Sequence, residues 1–380
     1  MLGGIPSDRI GRKQTLAWIA ALYLISALGS ALAFDWYSFL FFRFIGGLGV
    51  GASSVAAPMY ISEISPAKSR GKLVALFQFN IVFGILLAFF SNYVLDLLSP
   101  GAWRWMLGIE AIPSMVFLLL VNSVPKSPRW LVLKKNDQEG ALKILELINP
   151  GDSESAKKEL DAIIASKHEG NGKREALFSG KYNKPIRLAV LLAIFNQVSG
   201  INAVIYYAPR IFEMTGLGTS SALLSTTGIG IINFVFTLLA MNFIDRFGRR
   251  TLMLIGSVGL IITLALVSTA FYTDNFGGYN VPIYFFIYIA FFAFSQGAVI
   301  WVFISEIFPN QVRANGQALG SFTHWFMAAS ISFAFPYIAK TLGGGHTFMI
   351  FSVMMILQLL FVIFIMPETR GKSLEELEEQ

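Results

Sequence analysis

The chain has 380 residues, with 29 Lys and Arg against 23 Asp and Glu, and a formal net charge of +6. Hydrophobic residues make up 55% of it and charged residues 14%, and the mean hydropathy is +0.62. This composition, which contains no cysteine, excludes an ordinary soluble domain, a disulfide framework and thiolate chemistry, and it predicts an all-α polytopic membrane protein.

Ten apolar segments are long enough to cross a bilayer, which takes about 20 residues. Turns rich in Lys and Arg alternate with turns nearly free of both, so we expect the basic turns and both termini in the cytoplasm. A long polar stretch, 126–184, falls on the same side and predicts short helices, with a disordered linker as the alternative. The predicted spans are 14–34, 37–61, 73–97, 103–124, 186–209, 222–244, 251–272, 281–305, 315–339 and 347–366.

Two charged motifs occur once in each half of the chain. The Asp-Arg-x-Gly-Arg turn at Asp8 recurs at Asp245, and the Glu-x-x-Pro-x-x-x-Arg motif at Glu63 recurs at Glu306. Because both copies of each motif lie on the same predicted side, the halves are predicted to be parallel repeats. We therefore divide the chain into an incomplete first helix bundle (1–125), a cytoplasmic linker (126–184) and a six-helix second bundle (185–380).

The repeated acids and bases are candidates for an inner gate. We expect them to form ion pairs between neighbouring helices and between the halves, which lock the inner mouth in one state and separate in the other. The alternative is that they only set topology and anchor loops. The gate candidates are Asp8, Arg12, Glu63, Arg70, Asp245, Arg249, Glu306 and Arg313.

Amide and phenol side chains concentrate within the span 186–209, at Asn196, Gln197, Asn202 and Tyr206. Hydrocarbon offers no hydrogen bonds, so these groups need a neighbouring helix, water or a ligand as partner. The Ser199-Gly200 pair weakens the helix there, and such interruptions are common at transporter binding sites. The stretch favours a site for a neutral polyhydroxylated solute, with interhelical bonding as the alternative.

Other polar or aromatic residues lie within separate spans and predict a shared cavity near the middle of the membrane. Indoles suit this purpose because they stack on a sugar face and donate one hydrogen bond. Two ionisable residues also lie inside spans, and we expect Arg43 to pair with Glu110, either as a proton relay or as a static structural pair. The cavity candidates are Gln78, Asn233, Gln296, Trp301, His324 and Trp325.

These motifs resemble the sugar porter branch of the major facilitator superfamily, over essentially the whole chain. Several of the matching stretches are long and specific. They are the turns at Asp8 and Asp245, Arg43 to Gly51, Pro58 to Gly71, Gln78, Pro125 to Trp130, Gln197 to Tyr207 and Pro367 to Gly371.

The resemblance implies twelve helices in two pseudo-symmetric bundles, alternating access, and a pentose or hexose bound mainly by the second half. Bacterial xylose and glucose proton symporters are the nearest in pattern. The chain departs from the family pattern at three positions. The family often has glutamine where this chain has Asn196, an amide where it has His324, and usually glutamate where it has Lys126. The first two are expected to alter sugar selectivity, and His324 to add pH sensitivity near neutral. The implied sugar contacts are Gln78, Gln197, Asn202, Tyr206, Asn233, Gly297, Trp301 and Trp325, to which we add Asn196 and His324.

About ten of the twelve helices are expected, because the first helix and most of the second have no counterpart and the chain looks N-terminally truncated. In the symporters that first helix carries a proton-accepting aspartate beside the arginine that matches Arg43. Proton-coupled transport is therefore expected of the full-length form. A uniporter, a polyol carrier, a sugar sensor and a non-transporting fragment are the alternatives.

We expect a monomer in the cell membrane, with a monosaccharide, a proton and the lipid bilayer as partners. No nucleic acid, cofactor or metal is expected. Enzyme activity is not expected either, because the sequence offers no metal-ligand cluster, no nucleophile with a base and no phosphate-cradling loop.

Overall fold

The computed structural model describes residues 7, 9–66, 70–99, 101–169, 176–309 and 312–370, except for the side chains of 70–72, 74, 75, 77, 166–169, 245 and 314. Helices and connecting turns make up this part of the chain. Nine helical segments within it, three of them made of two consecutive helices, are long and apolar enough to cross a membrane. One segment, Asn315–Phe364, covers two predicted spans. The ten predicted spans are therefore all helical, which confirms the all-α polytopic prediction.

The chain forms two compact units, Met1–Asn80 with Val94–Arg174 and Ile81–Tyr93 with Glu175–Gln380. The first unit therefore includes most of the predicted linker, and Ile81–Tyr93 of the predicted first bundle belong to the second unit. The three-part division of the chain stays a prediction. The helices up to Glu169 are α1 (Arg12–Leu32), α2 (Trp36–Ile64), α3 (Arg70–Leu98), α4 (Trp103–Gly108), α5 (Ala111–Leu120), α6 (Pro128–Trp130), α7 (Gln138–Ile148) and α8 (Ser153–Glu169), with a π-helical turn at Leu131–Lys135.

The first unit has a small core between α1 and α2. Leu16 and Ile19 of α1 pack with Tyr60 of α2, whose hydroxyl donates to the carbonyl of Pro125 at 2.6 Å. Asp35 starts α2 by accepting from the backbone N–H of Ser38 at 2.6 Å, and this hydrogen bond lowers the pKa of its carboxyl below the ordinary value. The prediction of short helices in the polar stretch is confirmed by α6, α7 and α8.

The second unit has a larger core, rich in phenylalanine. Phe285, Phe348 and Phe351 form part of a continuous aromatic cluster between its helices. Its helices after Glu175 are α9 (Asn183–Val198), α10 (Ile201–Met214), α11 (Thr219–Phe247), α12 (Arg249–Tyr272), α13 (Asn280–Phe294), α14 (Gln296–Glu306) and α15 (Arg313–Phe364).

Three of these spanning segments are interrupted. Gly200 adopts a left-handed conformation (φ 86°) between α9 and α10, which confirms the weak point predicted at Ser199-Gly200. Ser295 (φ −115°, ψ −88°) separates α13 from α14, an interruption that the sequence analysis missed although Ser295-Gln296-Gly297 is a similar polar and glycine run. Gly343 (φ 77°) bends α15 where the chain passes from one predicted span to the next.

Gly200 is required both for its backbone conformation and for close packing. A Cβ there would lie 2.5 Å from Cδ2 of Phe351, whereas a Cβ at Gly216, which has a similar φ of 87°, would meet nothing within 4 Å. We expect Gly200→Ala to lose about 1–2 kcal/mol for the left-handed backbone and about 1–3 kcal/mol for overpacking, and Gly216→Ala to lose only the first. Thermal unfolding of the two detergent-solubilised variants checks this, and equal losses would contradict it.

Candidate sugar-binding site

Amide side chains on both sides of the α9–α10 break form one hydrogen-bonded array. Asn196 Nδ2 donates to the backbone carbonyl of Gln296 at 3.4 Å, and Asn196 Oδ1 accepts from Gln197 Nε2 at 2.9 Å. Gln197 Nε2 also lies 3.2 Å from the ring nitrogens of His324, and its Oε1 accepts from Asn202 Nδ2 at 2.8 Å. The structure thus brings four sequence-predicted site residues together around one buried amide, Gln197.

Gln197 is 1% exposed, and both its amide nitrogen and its oxygen have protein partners. A fully paired buried amide positions its neighbours, and it reaches a ligand only by exchanging one of these bonds. Asn202 and His324, at the more accessible ends of the array, are better placed for direct contact.

Aromatic rings surround the imidazole end of the array. The ring centroids of Trp301 and His324 lie 4.9 Å apart, and those of His324 and Trp325 lie 5.4 Å apart. Trp301 is 36% exposed and Trp325 is 40% exposed, so each indole offers an open surface. An exposed indole beside a buried amide array provides a stacking face next to hydrogen-bonding groups.

The other sequence-predicted sugar contacts are more scattered. Asn233 on α11 is buried at 7% exposure, and Tyr206 on α10 is 57% exposed. Gly297 follows the break at Ser295, with intermediate exposure. Gln78 belongs to the first unit, where it is half-buried in α3. Among the described contacts, none of these four joins the hydrogen-bonded array.

Two supporting residues were not among the predicted sugar contacts, although Gln296 was a predicted cavity candidate. The hydroxyl of Tyr288 donates to the carbonyl of Ser199 at 2.9 Å and so occupies a backbone acceptor at the α9–α10 break. Gln296 contributes its backbone carbonyl to Asn196. Its side chain offered a sequence signal as an intramembrane amide, but Tyr288 stands in an apolar run with nothing to mark it.

Arg43 and Glu110 lie together in the first unit, as predicted. Arg43 Nη1 is 3.8 Å from Glu110 Oε2, and the two side chains are 46% and 51% exposed. Glu110 stands at the junction of α4 and α5, where the helix is interrupted. The pair is therefore long and open, unlike the ion pairs at the charged ends of the helices.

Among the described residues, each unit has an Arg–Glu pair with a largely buried guanidinium, and the two pairs are built in the same way. In the first unit Arg12 Nε and Nη2 donate to Glu63 at 2.9 and 3.0 Å, and Ser127 Oγ donates to the same carboxylate at 2.5 Å. The guanidinium also donates to the Ser7 carbonyl at 3.0 Å. These bonds hold α1, α2 and the turn before α6 together.

In the second unit Arg249 Nε and Nη2 donate to Glu306 at 3.1 and 2.7 Å. Thr369 Oγ1 donates to that carboxylate at 2.5 Å, and the guanidinium donates to the Ile244 carbonyl at 3.2 Å. The described pairs therefore join helices within one unit.

The remaining gate candidates form no described ion pair. Arg313 donates through Nε to the Phe308 carbonyl at 3.2 Å. Asp8 and the side chains of Arg70 and Asp245 lie outside the described residues.

The two units differ at the residue before Ser127 and Thr369. In the second unit Glu368 accepts from the backbone N–H groups of Arg249 and Arg250, both at 2.9 Å, and so caps the start of α12. The corresponding residue of the first unit is Lys126, which is exposed and whose side chain has no acceptor atom. The residue before α1 is Gly11, which has no side chain that could cap the helix in place of Lys126.

Apolar spanning helices, repeated ion pairs and an amide and indole cluster within the spans define a multi-pass membrane transporter. The family model described as sugar (and other) transporter matches residues 1–380. The arabinose-proton symporter of Bacillus subtilis is 39% identical over 100% of this chain and 82% of its own length. The D-xylose-proton symporter of Escherichia coli is 39% identical over 99% of this chain and 82% of its own length.

Among solved structures, the inward-open xylose transporter XylE from E. coli is 38% identical, with a TM-score of 0.86 over 100% of this chain and 85% of that chain. The chain therefore belongs to the sugar transporter family and has the major facilitator fold. Its function is the transport of a sugar across a membrane, and the resemblance found in the sequence is confirmed.

The difference between Glu368 and Lys126 gives a stability prediction. An acidic cap and a negative charge at a helix start each stabilise it. We expect Lys126→Glu to raise the free energy of unfolding by about 0.5–2 kcal/mol. Lys126→Gln, which removes the lysine charge and supplies an uncharged acceptor, should raise it less. Thermal unfolding of the purified variants measures this, and a loss of stability in Lys126→Glu would contradict the proposed equivalence of the two positions.

Proposed function

We propose that the protein is a monosaccharide–proton symporter that works by alternating access and binds a pentose or hexose at the amide and indole cluster of its second unit. The observation that carries this proposal is the array of Asn196, Gln197, Asn202 and His324 beside two open indoles. Amide, imidazole and indole groups are neutral hydrogen-bonding partners that suit sugar hydroxyls, and they lie within helices long enough to span a bilayer.

The choice of substrate is supported by the names of the relatives, which are symporters of arabinose and of D-xylose with protons. Both substrates are small neutral sugars. The site assignment also includes Gln78, Tyr206, Asn233, Gly297, Trp301 and Trp325. A substrate entering the cluster would exchange one bond of the array for its own hydroxyls and stack on an indole.

Proton coupling is assigned to Arg43 and Glu110. Their separation of 3.8 Å and half-exposed side chains describe a weak ion pair. A carboxylate in such a pair is less firmly held in its charged form than one with two short guanidinium bonds, so it can gain and lose a proton during transport. Glu63 and Glu306, by contrast, each accept short bonds from a guanidinium and a hydroxyl.

Arg12–Glu63 and Arg249–Glu306 hold the charged ends of their own units rigid, and we assign these ends, not the opening of the pairs themselves, to the inner gate. A rigid end lets each unit move as a body in alternating access. We place the protein in the cytoplasmic membrane as a monomer in the lipid bilayer, with these charged ends and both termini in the cytoplasm, because basic turns favour that side.

Substitution of Gln197 tests the sugar site. Gln197→Ala removes the group that joins Asn196, Asn202 and His324, so we expect at least a tenfold loss of D-xylose or L-arabinose exchange in proteoliposomes. Gln358→Ala is the matched control, because Gln358 is equally buried but donates to Ser257 Oγ at 2.8 Å, apart from the array. Equal uptake by Gln197→Ala and wild type, at equal membrane abundance, would overturn the site assignment.

Glu110→Gln tests proton coupling separately from sugar binding. The amide keeps the size of the side chain but cannot exchange a proton. We expect loss of sugar accumulation driven by a pH gradient, with sugar exchange between two pools of equal pH retained. If both activities fall together with thermal stability, the pair is structural, and if neither changes, coupling lies elsewhere.

A further inference from the structure

The hydrogen-bond polarity of the amide array is fixed from one end. A backbone carbonyl is always an acceptor, so the bond from Asn196 to Gln296 makes Nδ2 of Asn196 the donor and leaves its Oδ1 as an acceptor. Gln197 must then present Nε2 to Asn196 and Oε1 to Asn202. Each amide orientation along the array follows from the one before it.

This polarity determines what the imidazole of His324 has to be. Gln197 Nε2 carries the hydrogens that face the ring, and it lies 3.2 Å from both Nδ1 and Nε2 of His324. A donor at equal distances from both ring nitrogens lies over the face of the imidazole, not in its plane, so the Gln197 amide donates to the electron-rich ring face. A neutral ring accepts such a contact, whereas a positively charged imidazolium does not. The array as it stands therefore requires a neutral His324.

We propose that His324 sets the polarity of the array, and that a proton on its imidazole reverses or opens the array and so weakens sugar binding. This inference rests on the proposed sugar-binding function of the same cluster. With both ring nitrogens protonated, the ring carries a positive charge 3.2 Å from the Gln197 amide nitrogen, whose hydrogens are themselves partly positive, and this contact is repulsive.

Relief of that contact changes the groups offered to a ligand. Rotation of the Gln197 amide gives the imidazolium an acceptor, but it turns Nε2 toward the donor Nδ2 of Asn202 and Oε1 toward the acceptor Oδ1 of Asn196. Asn202 can rotate in response, and Asn196 can do so only by losing its bond to Gln296. In the present polarity no described residue donates to Asn202 Oδ1, so this oxygen can accept a hydrogen bond from a sugar hydroxyl. Rotation of the Asn202 amide would put its Nδ2, a donor, in place of that acceptor.

No charged side chain is among the described contacts of the imidazole. Those contacts come from Gln197 on α9, Trp301 on α14 and Trp325 on its own helix, all of which are neutral. Lys184 and Arg187 lie in the first turns of α9, Glu306 ends α14 and Arg313 starts α15. Lys340 lies beside the bend of α15 at Gly343, 16 residues after His324. Glu306, the acid among them, is bound by Arg249 and Thr369.

Equilibrium sugar binding to the purified full chain tests the proposal without a proton gradient. We expect the affinity for D-xylose or L-arabinose to fall on acidification by up to tenfold per pH unit below the titration of the imidazole, the limit for a single linked proton. His324→Gln and His324→Asn carry amides that do not titrate, so their affinity should be independent of pH in this range. His346→Gln, a control at a residue whose ring meets that of Tyr272 edge to face, should keep the wild-type pH slope.

A ligand-free measurement separates failure of this inference from failure of the proposed function. Protonated imidazole quenches neighbouring indole fluorescence more strongly than neutral imidazole does, and the Trp301 and Trp325 rings lie 4.9 and 5.4 Å from the His324 ring. We expect a fluorescence titration in wild type and in His346→Gln that is absent from His324→Gln. Absence of sugar binding at every pH, with this titration present, would overturn the proposed function alone.

Two results would overturn the inference about His324. One is a pH slope of sugar affinity in His324→Gln and His324→Asn that equals that of wild type. The other is a wild-type fluorescence titration that persists unchanged in His324→Gln.

Discussion

Hydrocarbon supplies no hydrogen-bond partners, so every interruption of a spanning helix has to be satisfied from within the protein. The second unit meets this constraint with side chains. Tyr288 occupies the Ser199 carbonyl beside the α9–α10 break, and Asn196 reaches the Gln296 carbonyl beside the α13–α14 break. The Asn196 amide then starts the array that includes Gln197, so residues at the two breaks also organise the candidate site.

Charged residues in the two units fall into tight and loose pairs. Arg12–Glu63 and Arg249–Glu306 are multiply bonded and have guanidinium side chains that are 9% exposed, whereas Arg43–Glu110 is a single 3.8 Å contact between half-exposed groups. Loss of one partner from a buried pair leaves an uncompensated charge, which costs about 3–5 kcal/mol. Tight pairs therefore suit permanent joints between helices, and a loose pair suits a group that changes its charge.

The sequence alone predicted the spans, the repeated charged motifs and the weak point at Gly200. It also placed Asn196, Gln197, Asn202 and His324 among the site candidates, and these four residues are in contact in the structure. Hydropathy and polar residues within apolar runs carry that information locally. The sequence did not reveal that Gln197 is fully paired, that Ser295 breaks a span or that Glu368 caps α12, because each depends on which helices become neighbours. The repeated Pro-x-Ser/Thr at Ser127 and Thr369 was a visible signal for the hydroxyl that joins each Arg–Glu pair.

The carboxylate of Glu368 caps a helix that starts 119 residues earlier in the chain, and Thr369 closes on an acid 63 residues earlier. During translation, α12 and α14 therefore leave the ribosome before the residues that complete their joint exist. The second unit can acquire its final arrangement only after its last spanning segment has been inserted. A nascent chain stalled before that point exposes an uncapped helix start and an incompletely bonded Glu306, the kind of feature that membrane quality control can distinguish from the finished unit.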